Sequence, residues 1–385
     1  MKKALLVSTV PSTIGQFNME NIQILQQMGI EVHIACNFND LKVWPKEKVN
    51  TLIAELQGRG CVCHQVDFSR SITKIIVLLR ALKQISSLLK KENFTVIHCH
   101  TPVAGAITRL AAGKLKNSGK VIYTAHGFHF YHGAPLLNWI LYYPVERYLS
   151  HNTDIIITIN KEDYRFAKKH MKARKVTYVP GVGVDLNKFY PDNEKKISRN
   201  ENRTVVLVSV GELNANKNHE LVLKALHKLR ERNFVYWLCG VGEKERYLKE
   251  LAGRLKIGEK VRFLGFRDDI DEIYKKADIF VFPSKREGLP VSMMEAMASG
   301  LPVICSDIRG NRDLIEKDSR GGKLFAADDE MELARLIEKL LISPDVREKM
   351  GEFNRKRMRY FSSDHVAKEM RKIYNELLFR KIGHD

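Results

Sequence analysis

The sequence predicts an α/β protein of two doubly wound domains facing each other across a cleft. Three observations carry this. Short runs rich in Val and Ile alternate with helical stretches, the alternation occurs twice, and a highly charged segment separates the two series. Apolar runs of this kind, joined by helices, form parallel strands covered on both faces. A chain of 385 residues also exceeds what one ordinary core supports.

The first series opens with the strand "KKALLVSTV", a helix "NMENIQILQQMG" ended by Gly29, and the strand "EVHIACN". It continues with "VIHCH", a helix from 103, "KVIYTAH" and "DIIITIN". The segment "DNEKKISRNENR" (192–203) has the composition of a linker and sets the expected boundary near 195–203. The second series runs "TVVLVSVG", helix 218–232, "VYWLCG", helix 243–255, "VRFLG", helix 269–276, "DIFVFPS", helix 290–299 and "PVICSD". Residues 1–195 are thus expected to form one domain and 203–358 the other. A last helix, near 363–379 after a Ser-Ser-Asp capping stretch, is expected to pack back on the first domain. Doubly wound sheets bind ligands beyond the carboxyl ends of their strands.

Bulk properties narrow the function. Apolar residues at 44% and charged residues at 28% are those of a soluble globular protein. After Met1-Lys2-Lys3 the apolar run "ALLVSTV" is too short for a secretory signal, and no run approaches the roughly 20 residues that span a bilayer. The six cysteines lie mostly in strand-like runs and read as buried thiols, while Cys61-Val62-Cys63-His64 lacks zinc-site spacing. A reduced, cytoplasmic protein is expected. Residues 1–200 hold 28 Lys and Arg against 14 Asp and Glu, a net of +14, while 201–385 hold 36 against 31, a net of +5. A basic first half points to an anionic partner. No nucleic-acid-binding motif is present, so a membrane surface or an anionic lipid-linked substrate fits the charge better than nucleic acid.

The chemistry concentrates in "SKREGLPVSMMEAMASGLPVICSD" (284–307). A strand ends at Ser284 and a helix opens near Pro290, so the free N–H groups of about 288–292 offer an anion site for a diphosphate. Glu295, some 7.5 Å along that helix, and Glu287, on the loop before it, can each accept hydrogen bonds from neighbouring hydroxyls. Lys217, in the loop after "VSVG", offers a point charge to phosphate. Gly240 and Gly242 in "CGVGE" permit close backbone approach to a ligand. A diphosphate flanked by polyhydroxy groups describes a sugar nucleotide. The alternative for the two glutamates is that they are solvated helix-end charges.

The set "VGELNANKN", "CGVGE", "FLGF", "ADIFVFPSKREGLPVSMMEAMASGLPVICSD" and "GGKLFAADD" resembles the donor-binding domain of GT-B glycosyltransferases of the family-4 type, whose E-x7-E signature is Glu287 to Glu295 here. "TAHGFHFYHGAPLLNWILYYPVERYLS" is similar to bacterial enzymes of capsule and exopolysaccharide assembly. The fold implied is two Rossmann-like domains. The resemblance further implies that Lys217 neutralises the diphosphate of the leaving nucleotide and that Glu295 holds the ribose. Glu287 would hold the transferred sugar beside the amides of Gly288 and Leu289, with Pro290 opening the helix. Phe266 and Arg267 would flank the uracil, Gly15 would lie in a first-domain loop near the diphosphate, and His126 would face the sugar and acceptor. Glu212 stands where the family usually has an arginine, which leaves the phosphate charge to Lys217 and the helix amides.

Retention of anomeric configuration, a UDP-sugar donor, no metal and no cofactor follow from the resemblance. Asp269-Ile270-Asp271 reads as an acidic helix start rather than a metal pair. An inverting reaction would instead need a protein base, with His126 or His129 as candidates; His129, Phe130 and Tyr131 serve equally as aromatic lining. The segment 71–91 reads either as a basic amphipathic helix on anionic lipid or as a domain helix with its apolar stripe on the sheet. "LLNWILYYPVERYL" (136–149) reads first as core packing, second as a lipid or sugar site. The expected acceptor is a saccharide on polyprenyl diphosphate at the inner membrane face. The alternatives are a GT-B-fold nucleotide-sugar epimerase and a basic nucleic-acid binder, the latter leaving Lys217, Glu287 and Glu295 unexplained.

Overall fold

The computed structural model describes residues 2–115, 118–192, 203–315 and 320–379. The chain divides into two compact units. One runs to Val182 and resumes at Val366; the other is Gly183–His365. The boundary expected at 195–203 lies almost wholly outside the described residues. Residues 183–192, expected in the first domain, belong to the second unit. The reason is local: Val184 N donates to Phe361 O at 2.9 Å, Ser363 N donates to Val184 O at 3.0 Å, and Phe189 meets Tyr274 with ring centroids 6.1 Å apart.

The first unit holds strands β1 (Lys3–Val7), β2 (Glu31–Cys36), β3 (Val62–Gln65), β4 (Val96–His100), β5 (Lys120–Ala125), β6 (Ile155–Thr158) and β7 (Lys175–Tyr178). All pair parallel, in the order β3-β2-β1-β4-β5-β6-β7. Its helices are α1 (Pro11–Phe17), α2 (Met19–Gln27), α3 (Lys46–Gly58), α4 (Ile75–Lys91), α5 (Pro102–Gly113), α6 (Leu136–Ser150) and α7 (Lys161–His170). The strand period of two splits the core. Ala4 and Leu6 of β1 join residues of α2, α3 and the final helix α15 (Ser363–Phe379), while Leu5 and Val7 join residues of α4, α5 and α7. From α15, Val366, Met370, Ile373, Tyr374, Leu377 and Leu378 enter this core, each burial contributing about 1.5–3 kcal/mol. The helix thereby closes one face of the first sheet.

The second unit holds β8 (Val205–Val210), β9 (Phe234–Cys239), β10 (Val261–Gly265), β11 (Ile279–Phe282), β12 (Val303–Ser306) and β13 (Gly322–Phe325), in the order β10-β9-β8-β11-β12-β13 and again parallel. Between and after them lie α8 (His219–Lys228), α9 (Glu245–Arg254), α10 (Ile270–Lys276), α11 (Val291–Ala298), α12 (Arg309–Leu314), α13 (Glu330–Leu341) and α14 (Pro344–Met358). Leu207, Tyr236, Val281 and Ile304 meet Val222, Leu226, Leu333 and Ile337 in its core. The cysteines are free, all buried except the half-buried Cys63. His64, beside Cys63, bonds His33 Nδ1 through Nε2 at 2.8 Å.

Candidate active site

Because the strands of the second unit are parallel, the loops after β8, β9, β10, β11 and β12 emerge on one edge. Strand order reverses between β8 and β11, and that reversal is where such sheets hold ligands. The two loops flanking it are bound to each other. Lys217 Nζ lies 2.7 Å from Glu287 Oε1, both side chains being largely buried. Lys285 N donates to Asn216 O at 2.8 Å, and Asn216 Nδ2 donates to Arg286 O at 3.0 Å. Asn214 Oδ1 accepts the Lys217 amide at 3.0 Å, and the Lys217 ammonium stands 4.9 Å from the Phe282 ring centre. Expected to meet separate groups of a ligand, these two side chains form a pair with each other. Lys217 keeps two further N–H donors for an anion.

The neighbouring loops stack backbone on backbone. A β-carbon on Gly240, whose φ is +147°, would lie 1.9 Å from Gly211 O, and one on Gly242 would come within 2.5 Å of Leu213 O. Within the protein, the close approach that requires glycine at 242 is to Leu213. Phe266 is 62% exposed just past β10, and Arg267 grips Asp269 through Nε and Nη2 at 2.8 and 2.6 Å. Three strand spacings, about 14 Å, separate β10 from β11. The aromatic and basic pair thus sits at the outer end of the edge and the Lys217–Glu287 pair at its centre, between β8 and β11.

Pro290 is the N-cap of α11 and not its first residue, because its ψ of 117° lies outside the helical basin. Its carbonyl accepts from Met294 N at 3.2 Å, which leaves the amides of Val291, Ser292 and Met293 without partners inside the helix. Gly288 and the buried Leu289 lead into this end. Glu295 is half-buried one turn on. Burial pushes its carboxyl up to about 7, a rise opposed by Lys188 and reinforced by Asp271. Glu212 is exposed and accepts from Asn214 Nδ2 at 3.0 Å, in place of a cation. Asp269 and Asp271 have separate cations, Arg267 and Lys188, the latter 4.0 Å away. Among the described residues no three His, Cys, Asp or Glu gather as a metal site.

Arg309 was missed. The first residue of α12, it is buried and donates from Nε to Glu287 O at 3.2 Å, while a β-carbon on Gly310 would lie 2.3 Å from Gly288 O. So α12 seats directly under the Glu287–Gly288 turn. The available signal was "PVICSDIRGN", one more strand-to-helix junction at the same edge.

In the first unit, His98 and His100 end β4 and His126 follows β5. His100 Nδ1 and His126 Nε2 are 3.1 Å apart; the His98 ring, tilted by 39°, has its centre 4.1 Å from that of His100 and bonds Tyr374 Oη at 2.7 Å and Thr124 Oγ1 at 2.8 Å. Burial lowers all three imidazoles, His126 to about 4 and His98 to about 3. All are neutral at pH 7. His126 lines a pocket with Phe17, Asn21, His100, Thr124 and Met370. Thr101, next in the chain, holds φ +65°, unusual for a β-branched residue, and its hydroxyl is 2.7 Å from that of Thr9. Gly15 is not in a loop. It lies inside α1, where a β-carbon would strike the Trp44 indole at 2.5 Å, so indole packing explains the glycine. His129 stacks on Tyr142 at 4.7 Å, and Phe130 is buried among Trp139, Tyr143 and Phe166.

A family model described as Glycosyl transferase 4-like matches residues 4–160, and one described as Glycosyl transferases group 1 matches 191–357. Over 384 residues the chain is 35% identical to a Bacillus subtilis (strain 168) protein named as glycosyltransferase EpsD, covering 97% of this chain and 96% of that one. The chain belongs to the GT-B glycosyltransferases. The transferase is also 31% identical over 269 residues to the Escherichia coli UDP-Gal:alpha-D-GlcNAc-diphosphoundecaprenol alpha-1,3-galactosyltransferase, 66% of this chain and 69% of that one. Its fold matches sucrose-phosphate synthase from Thermosynechococcus elongatus with a TM-score of 0.79 at 18% identity, over 99% of this chain and all of that one. Anabaena HepE in complex with UDP matches with a TM-score of 0.74 at 16% identity, over 98% of this chain and 100% of that one. The epimerase alternative finds no support among these relatives. No helix among the described residues is long and apolar enough to cross a membrane.

Proposed function

We propose that the transferase moves a sugar from a UDP-sugar to a saccharide carried on polyprenyl diphosphate, in capsule or exopolysaccharide assembly. The reaction proposed is retaining and needs neither metal nor cofactor. It takes place on the cytoplasmic side, with the protein peripheral to the membrane surface. The observation that carries the donor is the Lys217–Glu287 pair at the β8/β11 reversal, beside the free amides opening α11. The E. coli relative's name contains both a UDP-sugar and a diphosphoundecaprenol-linked acceptor, and a Staphylococcus aureus relative, 25% identical over 388 residues, is named for capsular polysaccharide biosynthesis. Both support the reading.

In this mechanism the bond between the anomeric carbon and the donor phosphate oxygen breaks as the acceptor oxygen bonds the same face of that carbon. The acceptor's proton passes to a donor phosphate oxygen. Lys217 and the α11 amides offset the charge that accumulates on the diphosphate, the step at which fixed donors lower the barrier most. Ionised Glu295 accepts from the ribose hydroxyls, Glu287 from those of the sugar, and Phe266 with Arg267 borders the uracil. Gly242 shapes the loop next to them. His126, neutral at pH 7, hydrogen-bonds the sugar without competing for the proton.

The test is to incubate the protein with UDP-glucose, UDP-galactose, UDP-GlcNAc or UDP-GalNAc and short polyprenyl-diphosphate saccharides, with and without EDTA. A product extended by one α-linked sugar, formed in EDTA, is expected from one donor. An epimerised donor formed without acceptor would overturn the assignment.

A further inference from the structure

Helix α6 is apolar on two opposite faces. Trp139, Tyr142 and Tyr143 pack inward against the core that holds Phe130, and Leu149 is buried on the same side. Leu136, Leu137, Ile140, Leu141, Val145 and Tyr148 point the other way and are 73, 62, 61, 44, 49 and 64% exposed. Core packing, the first reading of this segment, thus accounts for half of it. A helix apolar all round belongs in an interior or in lipid, and a contiguous exposed apolar face marks a contact surface.

Its neighbours say which contact. Strand order and connection place α4, α5, α6 and α7 on one face of the first sheet, with their N-termini at the carboxyl edge. The start of α4 exposes Ile72, Ile75, Ile76 and Leu79, with Lys74, Arg80 and Lys83 around them. On the other side, α7 is fastened to α6 through Arg147 Nη1, which donates to His170 O at 2.6 Å, and exposes Arg165, Lys168 and Lys169. The mostly buried α5 lies between α4 and α6, so the α7 cations adjoin the apolar face and those of α4 stand one helix away, all within the half of the chain that carries a net +14. Two copies meeting on this face would bring like-charged rims together. An anionic lipid surface satisfies both the apolar centre and the basic border.

We propose that the outer face of α6, with the start of α4, seats in the headgroup–acyl boundary of an anionic bilayer while the α4 and α7 cations meet lipid phosphates. This rests on the reading that the acceptor is lipid-linked, and it names the surface that brings the enzyme to it.

The experiment is co-sedimentation of the full chain with vesicles of phosphatidylglycerol and phosphatidylethanolamine, and separately of phosphatidylcholine alone. The variants are Leu137→Ser/Ile140→Ser/Val145→Ser and Lys168→Glu/Lys169→Glu, with thermal stabilisation by UDP followed on each. Wild type is expected to pellet with anionic vesicles and far less with neutral ones. Each variant loses on the order of tenfold or more in partition while UDP still stabilises it. Wild type remaining in the supernatant overturns the proposal, as does a triple variant that pellets like wild type. A wild-type dimer in light scattering that the triple variant dissolves, with no vesicle binding, would assign the face to self-association instead. Vesicle binding without UDP stabilisation in the wild type would sink the donor reading alone.

Discussion

The carboxyl edges of the two sheets are built oppositely. In the second unit the edge is charged: Lys217 with Glu287, Arg267 with Asp269, Arg309 beneath the Glu287 carbonyl. In the first unit the corresponding strand ends carry His98, His100 and His126, all held neutral by burial. A charged edge can absorb the charge of a departing diphosphate, and a neutral one can hydrogen-bond sugar hydroxyls without attracting it. On the proposed function, the contrast matches nucleotide with the second unit and neutral hydroxyls with the first.

The largest expected effect breaks the charged side. Lys217→Ala should lower kcat/KM for the UDP-sugar by about 10²–10³-fold, the cost of losing one preorganised donor to a developing negative charge. Steady-state kinetics on a variant that still folds by circular dichroism checks it. An unchanged rate would remove Lys217 from the chemistry. Next is the backbone stacking that shapes the same edge. Gly240→Ala places a β-carbon 1.9 Å from Gly211 O at φ +147°, so thermal or urea unfolding should show a loss of about 1–3 kcal/mol.

Glu295 sharpens the comparison through pH. Burial raises its carboxyl to about 7, and on the proposed function ribose hydroxyls bind the ionised form. UDP-sugar affinity should therefore weaken by about fourfold from pH 8 to pH 6.5, and Glu295→Gln should flatten that dependence. For stability the sign is the reverse of the usual carboxylate. Between the unfolded value of about 4.3 and the folded value near 7 the native state binds more protons, so this group's contribution is present at low pH and lost as pH rises through 7. The histidines behave oppositely. Their folded values lie below the ordinary one, so stability is present above about pH 6.5 and lost as pH falls toward 4. Acid unfolding monitored by near-ultraviolet circular dichroism should begin in that window and move lower in His98→Gln.

The smallest effect expected is Tyr374→Phe, which removes the hydroxyl bonded to His98 Nδ1 at 2.7 Å. About 1 kcal/mol should be lost in chemical denaturation, with UDP binding unchanged.

Much of this contrast was legible in the chain. Val- and Ile-rich runs gave β1, β2, β4, β5, β6 and β8–β12, because strands buried on both faces need continuous apolar sequence. The short edge strand β3, "VCHQ", was not seen, since half of an edge strand faces solvent and its composition is mixed. Gly15 was expected in a loop, yet it lies inside α1 against Trp44, 29 positions away. The pairing of Lys217 with Glu287 spans 70 residues, and no local pattern encodes it. The outward face of α6 was unreadable for the same reason: a helix apolar on two faces gives one sequence signal, and only packing tells which side is covered.

One titration tests the central assignment directly: UDP added to the wild type and to Lys217→Ala and Glu295→Gln by calorimetry, in EDTA. Saturable one-site binding by the wild type, weakened on the order of tenfold or more in each variant, is the predicted result. Equal affinity in all three proteins, or no binding by the wild type, would place the nucleotide elsewhere and contradict the division of labour between the charged and the neutral edge.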